Sequence, residues 1–324
     1  TVNSPAEVSL TLTPASISEA KRVTATVVYT DPDVLDDFTI VVNWGDGTAT
    51  NTQSSGNAQD KLTFTHVYAD DDADDSYTVT ATVTDSTNQS SQAVSTLAVT
   101  NVAPTVQQPT VTGFVRTIAT NHYLATTSNT LTVRTDFSDP GFTRSPSVES
   151  FTYQVNWGDG VTDNGVVANV TNGSFGVATT GRFTLTHRYN ELGVFPVTVT
   201  VRDDDEGQTQ RSFNVTVNNV PTAHNDTVSV NEDSTLNGNM LANDRPDGDD
   251  FPTTTDILTV TQVTTTNTKG VLVGYNPTTG AFTYSAAGKF DYLALGQSEA
   301  DSFIYKVRDL FAFTSTATVN VTVN

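Results

Sequence analysis

Two stretches of this chain are near copies of each other, and any fold it adopts must accommodate both. Residues 38–48 read FTIVVNWGDGT and residues 151–162 read FTYQVNWGDGVT. In each, polar and apolar residues alternate with the period of a strand that has one face in a core, and the run ends on Gly-Asp-Gly, the chemistry of a tight turn. Each copy continues in the same order: a strand carrying His-x-Tyr (to Tyr68 and Tyr189), a strand ending in Asp (Asp85 and Asp203), and one more alternating strand. The closing segments, Asn101-Val102-Ala103-Pro104 and Asn219-Val220-Pro221, mark boundaries, because proline cannot donate to a sheet ladder and holds the chain extended. Three domains follow, 1–103, 104–219 and 220–324, each of about 100 residues, a common domain size.

Thr, Val, Ser, Asn and Asp dominate, and long runs of Leu, Ala, Glu and Lys are missing, so local preference favours strands and turns over helices. There is no cysteine, which removes disulfides, thiolate metal sites and a cysteine nucleophile. No stretch approaches the ~20 apolar residues of a membrane span. The chain opens on Thr1 without Met or a signal sequence, which reads as a start removed upstream. Its 36 acidic and 15 basic residues give a formal net charge of −21, and without a basic patch to neutralise phosphate, nucleic acid and anionic membrane surfaces are not expected as partners. The acid is uneven: residues 1–103 carry 14 acidic and 3 basic residues, residues 104–219 carry 10 and 7, and residues 220–324 carry 12 and 5. Aspartates gathered in loops beside asparagine suggest oxygen cages for Ca²⁺ rather than a uniformly solubilising surface.

The WGDG turn, the downstream His-x-Tyr and the Val-Thr-Asp or Val-Arg-Asp strand end resemble the PKD domain, an immunoglobulin-like module, over about two thirds of the chain. The remainder lacks WGDG and His-x-Tyr. Its Ala223 to Asp226, Glu232-Asp233-Ser234, Leu241 to Asp244, the Gly-x-Phe-x-Tyr strand at Gly280 to Tyr284, and Asp301 to Tyr305 resemble the cadherin-like, VCBS-type repeat of bacterial adhesins. Together these resemblances imply an all-β chain of three tandem immunoglobulin-like or cadherin-like β-sandwich domains in an elongated array. They also imply a secreted or cell-surface, non-catalytic role in a surface adhesin stalk, a surface layer or a fibre. The partners would be neighbouring modules, copies of the same protein, or surface glycans.

In PKD domains that bind calcium, the ligands are an Asn before the first strand, an Asp-Pro-Asp turn and the Asp ending a late strand. By resemblance these are Asn3, Asp31, Asp33 and Asp85 in the first copy, with Ser4 beside them, and Asn101, Asp139 and Asp203 in the second. Gly141 stands where the second turn Asp belongs, leaving a ligand missing unless Asp136 or Asp204 moves in. In the third domain Asn225, Asp226, Glu232, Asp233, Asn243, Asp244, Asp301 and Asp309 are candidates, more carboxylates than turn chemistry needs and mutually repulsive without a counter-ion. Asp at turns and strand ends also satisfies local amides, the alternative role for any one of them. The acidic run Ala69 to Asp75, ADDDADD, reads first as a solvated hairpin tip and second as another ion site.

His66 with Asp46 and His187 with Asp159 would be the raw material of a hydrolase, but they recur at fixed places in both copies, as duplicated scaffold does and active sites seldom do. No nucleophile elbow, phosphate loop or dinucleotide fingerprint occurs. The aromatics Tyr29, Phe114, Tyr123, Phe142, Phe175, Phe251, Tyr292, Phe311 and Phe313 are read mostly as core but could include a sugar-stacking platform, which keeps a carbohydrate-binding accessory role for a secreted hydrolase as the alternative. The apolar run Leu310 to Phe313, where this kind of repeat has a polar glycine turn, suggests contact with a neighbour.

Overall fold

A computed structural model describes residues 4–33, 36–71, 76–248 and 256–324. Among them the regular structure is all strand. The first copy supplies β1 (Glu7–Thr13), β2 (Ser16–Ser18), β3 (Arg22–Thr30), β4 (Phe38–Asn43), β5 (Asn51–Ser55), β6 (Gln59–Val67), β7 (Ser76–Asp85) and β8 (Ser90–Thr100). These form two sheets, β1-β3-β6 and β2-β8-β7-β4-β5. All pairings are antiparallel except β2 with β8, where Ser16–Ser18 run parallel to Ala98–Thr100.

The second copy supplies β9 (Thr105–Val106), β10 (Thr110–Thr112), β11 (Arg116–Ala119), β12 (His122–Ala125), β13 (Leu131–Asp139), β14 (Phe151–Asn156), β15 (Thr162–Val166), β16 (Asn169–Thr171), β17 (Thr179–His187), β18 (Gly193–Asp203) and β19 (Gln208–Val217). One sheet runs β10-β13-β17-β16, with β9 also on β13, and the other β11-β12-β19-β18-β14-β15, in which β12 runs parallel to β19. The last 105 residues hold β20 (Asp226–Val230), β21 (Thr235–Asn239), β22 (Thr259–Thr264), β23 (Val271–Tyr275), β24 (Ala281–Ser285), β25 (Glu299–Arg308) and β26 (Thr314–Val323). Their sheets are β20-β26-β25-β22 and β21-β24-β23, and β20 is parallel to β26. Among the described residues no sheet mixes strands from two of these three spans. The chain is a tandem array of immunoglobulin-like β-sandwiches.

Alternation places the core. Val23, Ala25, Val27 and Tyr29 on β3, and Phe38, Ile40 and Val42 on β4, are all buried while their neighbours face outward. Burying such side chains contributes about 1.5–3 kcal/mol each. Trp44 and Trp157, fully buried, directly follow the equivalent strands β4 and β14. The imidazole of His66 stacks on Trp44 (4.8 Å, 13°) and that of His187 on Trp157 (4.5 Å, 9°). Each His binds the turn Asp through Nε2, at 2.6 Å to Asp46 and 2.7 Å to Asp159. Burial pushes the Asp46 carboxyl up, but the His66 and Thr48 donors more than offset this and hold it below its usual range. Gly45 and Gly158 have φ of +82° and +83°, and a Cβ there would overlap the backbone of Thr78 or Pro196, so the turn needs glycine. The repeated His–Asp pair is thus a clasp over the core tryptophan.

The third sandwich has neither clasp nor WGDG, yet it keeps another element of the copies. Asp85 and Asp203 end strands and Asp309 directly follows one, and each donates its N–H to the carbonyl four residues on (Gln89, Gly207 and Phe313, at 3.0, 3.1 and 3.1 Å). The fourth residue of each turn has positive φ: Asn88 at 69°, Glu206 at 70° and Ala312 at 62°. The apolar run at 310–313 is therefore this turn, with Phe313 N–H bonded to Asp309 Oδ1 at 2.8 Å.

The chain divides into two compact units, 1–112 with 131–187 and 196–213, and 113–130 with 188–195 and 214–324; strands β18 and β19 run through both.

Candidate metal centre

In the first copy the Asp-Pro-Asp loop follows β3. Asp31 spends Oδ1 on the N–H of Asp33 (2.7 Å), a tight Asx turn, and its Oδ2 is buried with no hydrogen-bond partner. Asp31, Asp33 and Asp36 have ligand oxygens all within 4.8 Å of one another. Asp36 was not foreseen; Ser86, beside Asp85, donates to it at 2.5 Å and ties the loop to the end of β7. Asp85 itself receives Thr87 N–H, Thr87 Oγ1 and Gln89 N–H on Oδ1. Ser4 is exposed, its N–H 3.4 Å from Asp33 Oδ2, and Asn3 lies outside the described residues.

The second copy repeats the corner. Asp139 gives Oδ1 to Gly141 N–H (2.8 Å) and keeps a buried, unpartnered Oδ2. The place of the missing turn Asp is taken from elsewhere. Glu149, from the loop before β14, and Glu19, which follows β2 of the first copy, converge on Gly141, and both triads, Glu19–Asp139–Glu149 and Glu19–Asp70–Asp71, are buried with ligand oxygens within 4.8 Å. Asp136 does not move in, because Arg134 (2.8 Å) and Arg182 (2.5 Å) hold it. Asp204 accepts Ser150 N–H at 2.9 Å. Asp203 is buried beside Asn101, whose amide donates to the Asp205 carbonyl (3.1 Å).

Burial is the main cause of the electrostatics here. It pushes Glu149 up to about 10, with the charges of Asp70, Asp139 and Glu19 adding to it, and Glu19 up to about 9, Asp139 adding. Asp139 is pushed to about 7 despite the Gly141 N–H, and Asp70 to about 7, with Asp205 and Asp204 contributing. Carboxylates in such surroundings hold a proton or a cation. Asp70 and Asp71 are 5% and 6% exposed, which overturns the reading of their run as a solvated hairpin tip for these two residues.

The third-domain candidates do not form one cage. Asp226, with an unpartnered buried Oδ2, and Asp244 flank the Tyr305 hydroxyl, which lies 3.1 Å and 3.2 Å from the Asp244 oxygens; burial pushes Asp226 to about 6. Asn243 reaches the Asn225 carbonyl at 3.2 Å, and Asn225 Oδ1 accepts Thr318 N–H at 2.9 Å, so that amide is a strand clip. Asp301 is a correction: burial pushes it up, but Tyr284 Oη (2.5 Å) and the N–H groups of Gly270, Lys269 and Ser302 (2.9 Å each) fill its oxygens and hold its carboxyl below its usual range. It fastens a loop and has no capacity left for an ion. Asp233 is exposed, and Glu232 sits at the far pole, its N–H on the Asn324 carbonyl (3.0 Å). Asp309 lies apart from both, receiving the Asn218 amide at 3.0 Å and pushed to about 6 by burial, with Asp256 and Asp247 nearby adding to the rise.

Residues 218–322 match the family model described as a bacterial Ig domain. That match covers less than half of the chain and agrees with the immunoglobulin-like sandwich seen in it. No curated protein matches the chain. Among solved structures it is similar to the tetra-tandem repeat in the extending region of a large adhesion protein (15% identity over 98% of this chain and 74% of that one, TM-score 0.41). It is similar also to protocadherin gamma B2 extracellular cadherin domains 1–5 (12%, 100% and 72%, TM-score 0.32) and to red sea bream transglutaminase (13%, 65% and 31%, TM-score 0.26). The chain thus spans about a third of the length of the transglutaminase. At these identities and scores the likenesses carry nothing about function.

Proposed function

We propose that the chain is a non-catalytic, calcium-stiffened segment of an extracellular protein, a stretch of surface adhesin, surface layer or fibre, built from two PKD-type modules and a bacterial Ig-like or cadherin-like one. The observation that carries this is the duplicated corner: Asp31 and Asp139 each commit one oxygen to a turn and leave the other buried and unpartnered, facing further carboxylates. Two copies preserving the same uncompensated charge point to a counter-ion, and six to eight oxygens at ~2.3–2.6 Å with adaptable geometry is the demand of Ca²⁺. The non-catalytic half of the reading is supported by the His–Asp pairs, which are stacked on buried tryptophans in both copies. The partners we infer are adjoining modules and further copies of the same chain. Thermal melting with calcium and with chelator is the test: a higher melting temperature in calcium is expected, and identical curves would defeat the reading.

A further inference from the structure

We propose that one calcium ion clamps the first copy to the second, seated between Glu19 of the first and Asp139 and Glu149 of the second, in space kept open because residue 141 is glycine. This rests on the calcium reading above and adds to it a ligand set drawn from both copies.

Three observations converge. The ligand oxygens of Glu19, Asp139 and Glu149 lie within 4.8 Å of one another, a span that an ion with bonds of ~2.3–2.6 Å can bridge. Asp139 is 1% and Glu149 7% exposed, and each keeps a buried oxygen, Oδ2 and Oε1, without a hydrogen-bond donor. A buried, unpaired carboxylate is costly, and two facing each other cost more. Finally, a Cβ on Gly141 would overlap the carboxylate oxygens of both Glu19 and Glu149. The aspartate that stands at this place in the first copy, Asp33, would push both glutamate carboxylates aside here; its oxygen is replaced by two brought in from other segments.

Neighbouring groups leave the seat to a cation. Arg144 turns its guanidinium to the Val67 carbonyl (2.9 Å). Glu19 already uses Oε1 to accept Val102 N–H (2.8 Å), so its other oxygen faces Gly141 while the first grips the segment joining the copies. Around it, Phe142 donates its N–H to the Ala69 carbonyl (3.0 Å) and its ring lies with Ala20 and Ala69. The ion would thus complete a joint whose apolar and backbone contacts are already in place. An all-carboxylate seat favours Ca²⁺ over Mg²⁺, which sheds its water reluctantly.

The experiment uses the whole chain and counts bound calcium by native mass spectrometry, alongside melting in ~1 mM calcium, the range of extracellular modules, and in chelator. Glu149→Gln and Glu19→Gln are each expected to bind one ion fewer than the parent. Each should melt at or above the parent in chelator, because the cost of burying an ionisable carboxyl is removed, and below it in calcium. Asp31→Asn, in the other corner, should lose a different ion, so that the double variant with Glu149→Gln loses two. If both Gln variants keep the parent's ion count and calcium shift, the clamp is wrong while the calcium reading stands. A parent that binds no calcium removes both.

Discussion

Asp31 and Asp139 stand at the same corner of two sandwiches and are held in the same way, Oδ1 at 2.7 Å and 2.8 Å from the N–H two residues on and Oδ2 buried with no donor. The Asx turn accounts for half of each carboxylate. Replacing Asp31 by Ala therefore tests the other half: with calcium at ~100 times its dissociation constant, an occupied site adds ~2.7 kcal/mol. That increment should vanish from calcium-dependent denaturant melts of the variant, and its survival would show that Asp31 is a turn residue only.

The ion-free protein should lose stability as pH rises. Glu19 and Glu149 have folded pKa values raised to about 9 and about 10, chiefly by burial, so the folded state holds protons that the unfolded state has released. Stability from these groups is complete below their unfolded value of 4.5 and is lost as pH climbs through 9 and 10. Melting in chelator between pH 5 and pH 9 should fall steadily, by roughly the same slope in Asp31→Asn and by less in Glu149→Gln. A flat profile in the parent would mean that the two carboxylates are solvated.

Asp301→Asn should destabilise without touching calcium. Its four donors include the Tyr284 hydroxyl and three backbone N–H groups. Hydrogen bonds to a charged group are each worth about 1.5–3 kcal/mol. The amide cannot accept all of them on both sides, so chemical denaturation should show a loss of that order. Calorimetric titration should return the parent's calcium stoichiometry, and a missing ion would restore Asp301 to the ligands.

Trp44→Ala should cost about 3–5 kcal/mol, as large-to-small changes in a filled core do. His66→Ala should cost less and, with its imidazole stacked on Trp44 and bonded to Asp46, should act through stability alone. Any hydrolytic turnover by the parent that His66→Ala abolishes, at a temperature where both are folded, would overturn the scaffold role.

The strands and the copies were legible in the sequence because both rest on local chemistry: alternation at Val23 to Tyr29, and glycine where Gly45 and Gly158 need positive φ. The Asp31 and Asp139 corners were reached by resemblance to the PKD domain, and their spare oxygens show only in the folded structure. Glu19 and Glu149 were not, since they lie 130 positions apart and meet only when two copies dock; neither belongs to a motif within its own copy. Asp70 and Asp71 were misread because a run of like charge looks solvated until the second copy covers it. In the third domain Phe311 and Phe313 occupy a turn already marked in the sequence, and its backbone matches those after Asp85 and Asp203.

In every sandwich an early strand runs parallel to the last: β2 to β8, β12 to β19, β20 to β26. Tension applied through the two ends of such a sandwich is expected to slide these strands past one another, so that their hydrogen bonds must rupture together instead of peeling open singly. Pulling single molecules should then show tall, separate force peaks.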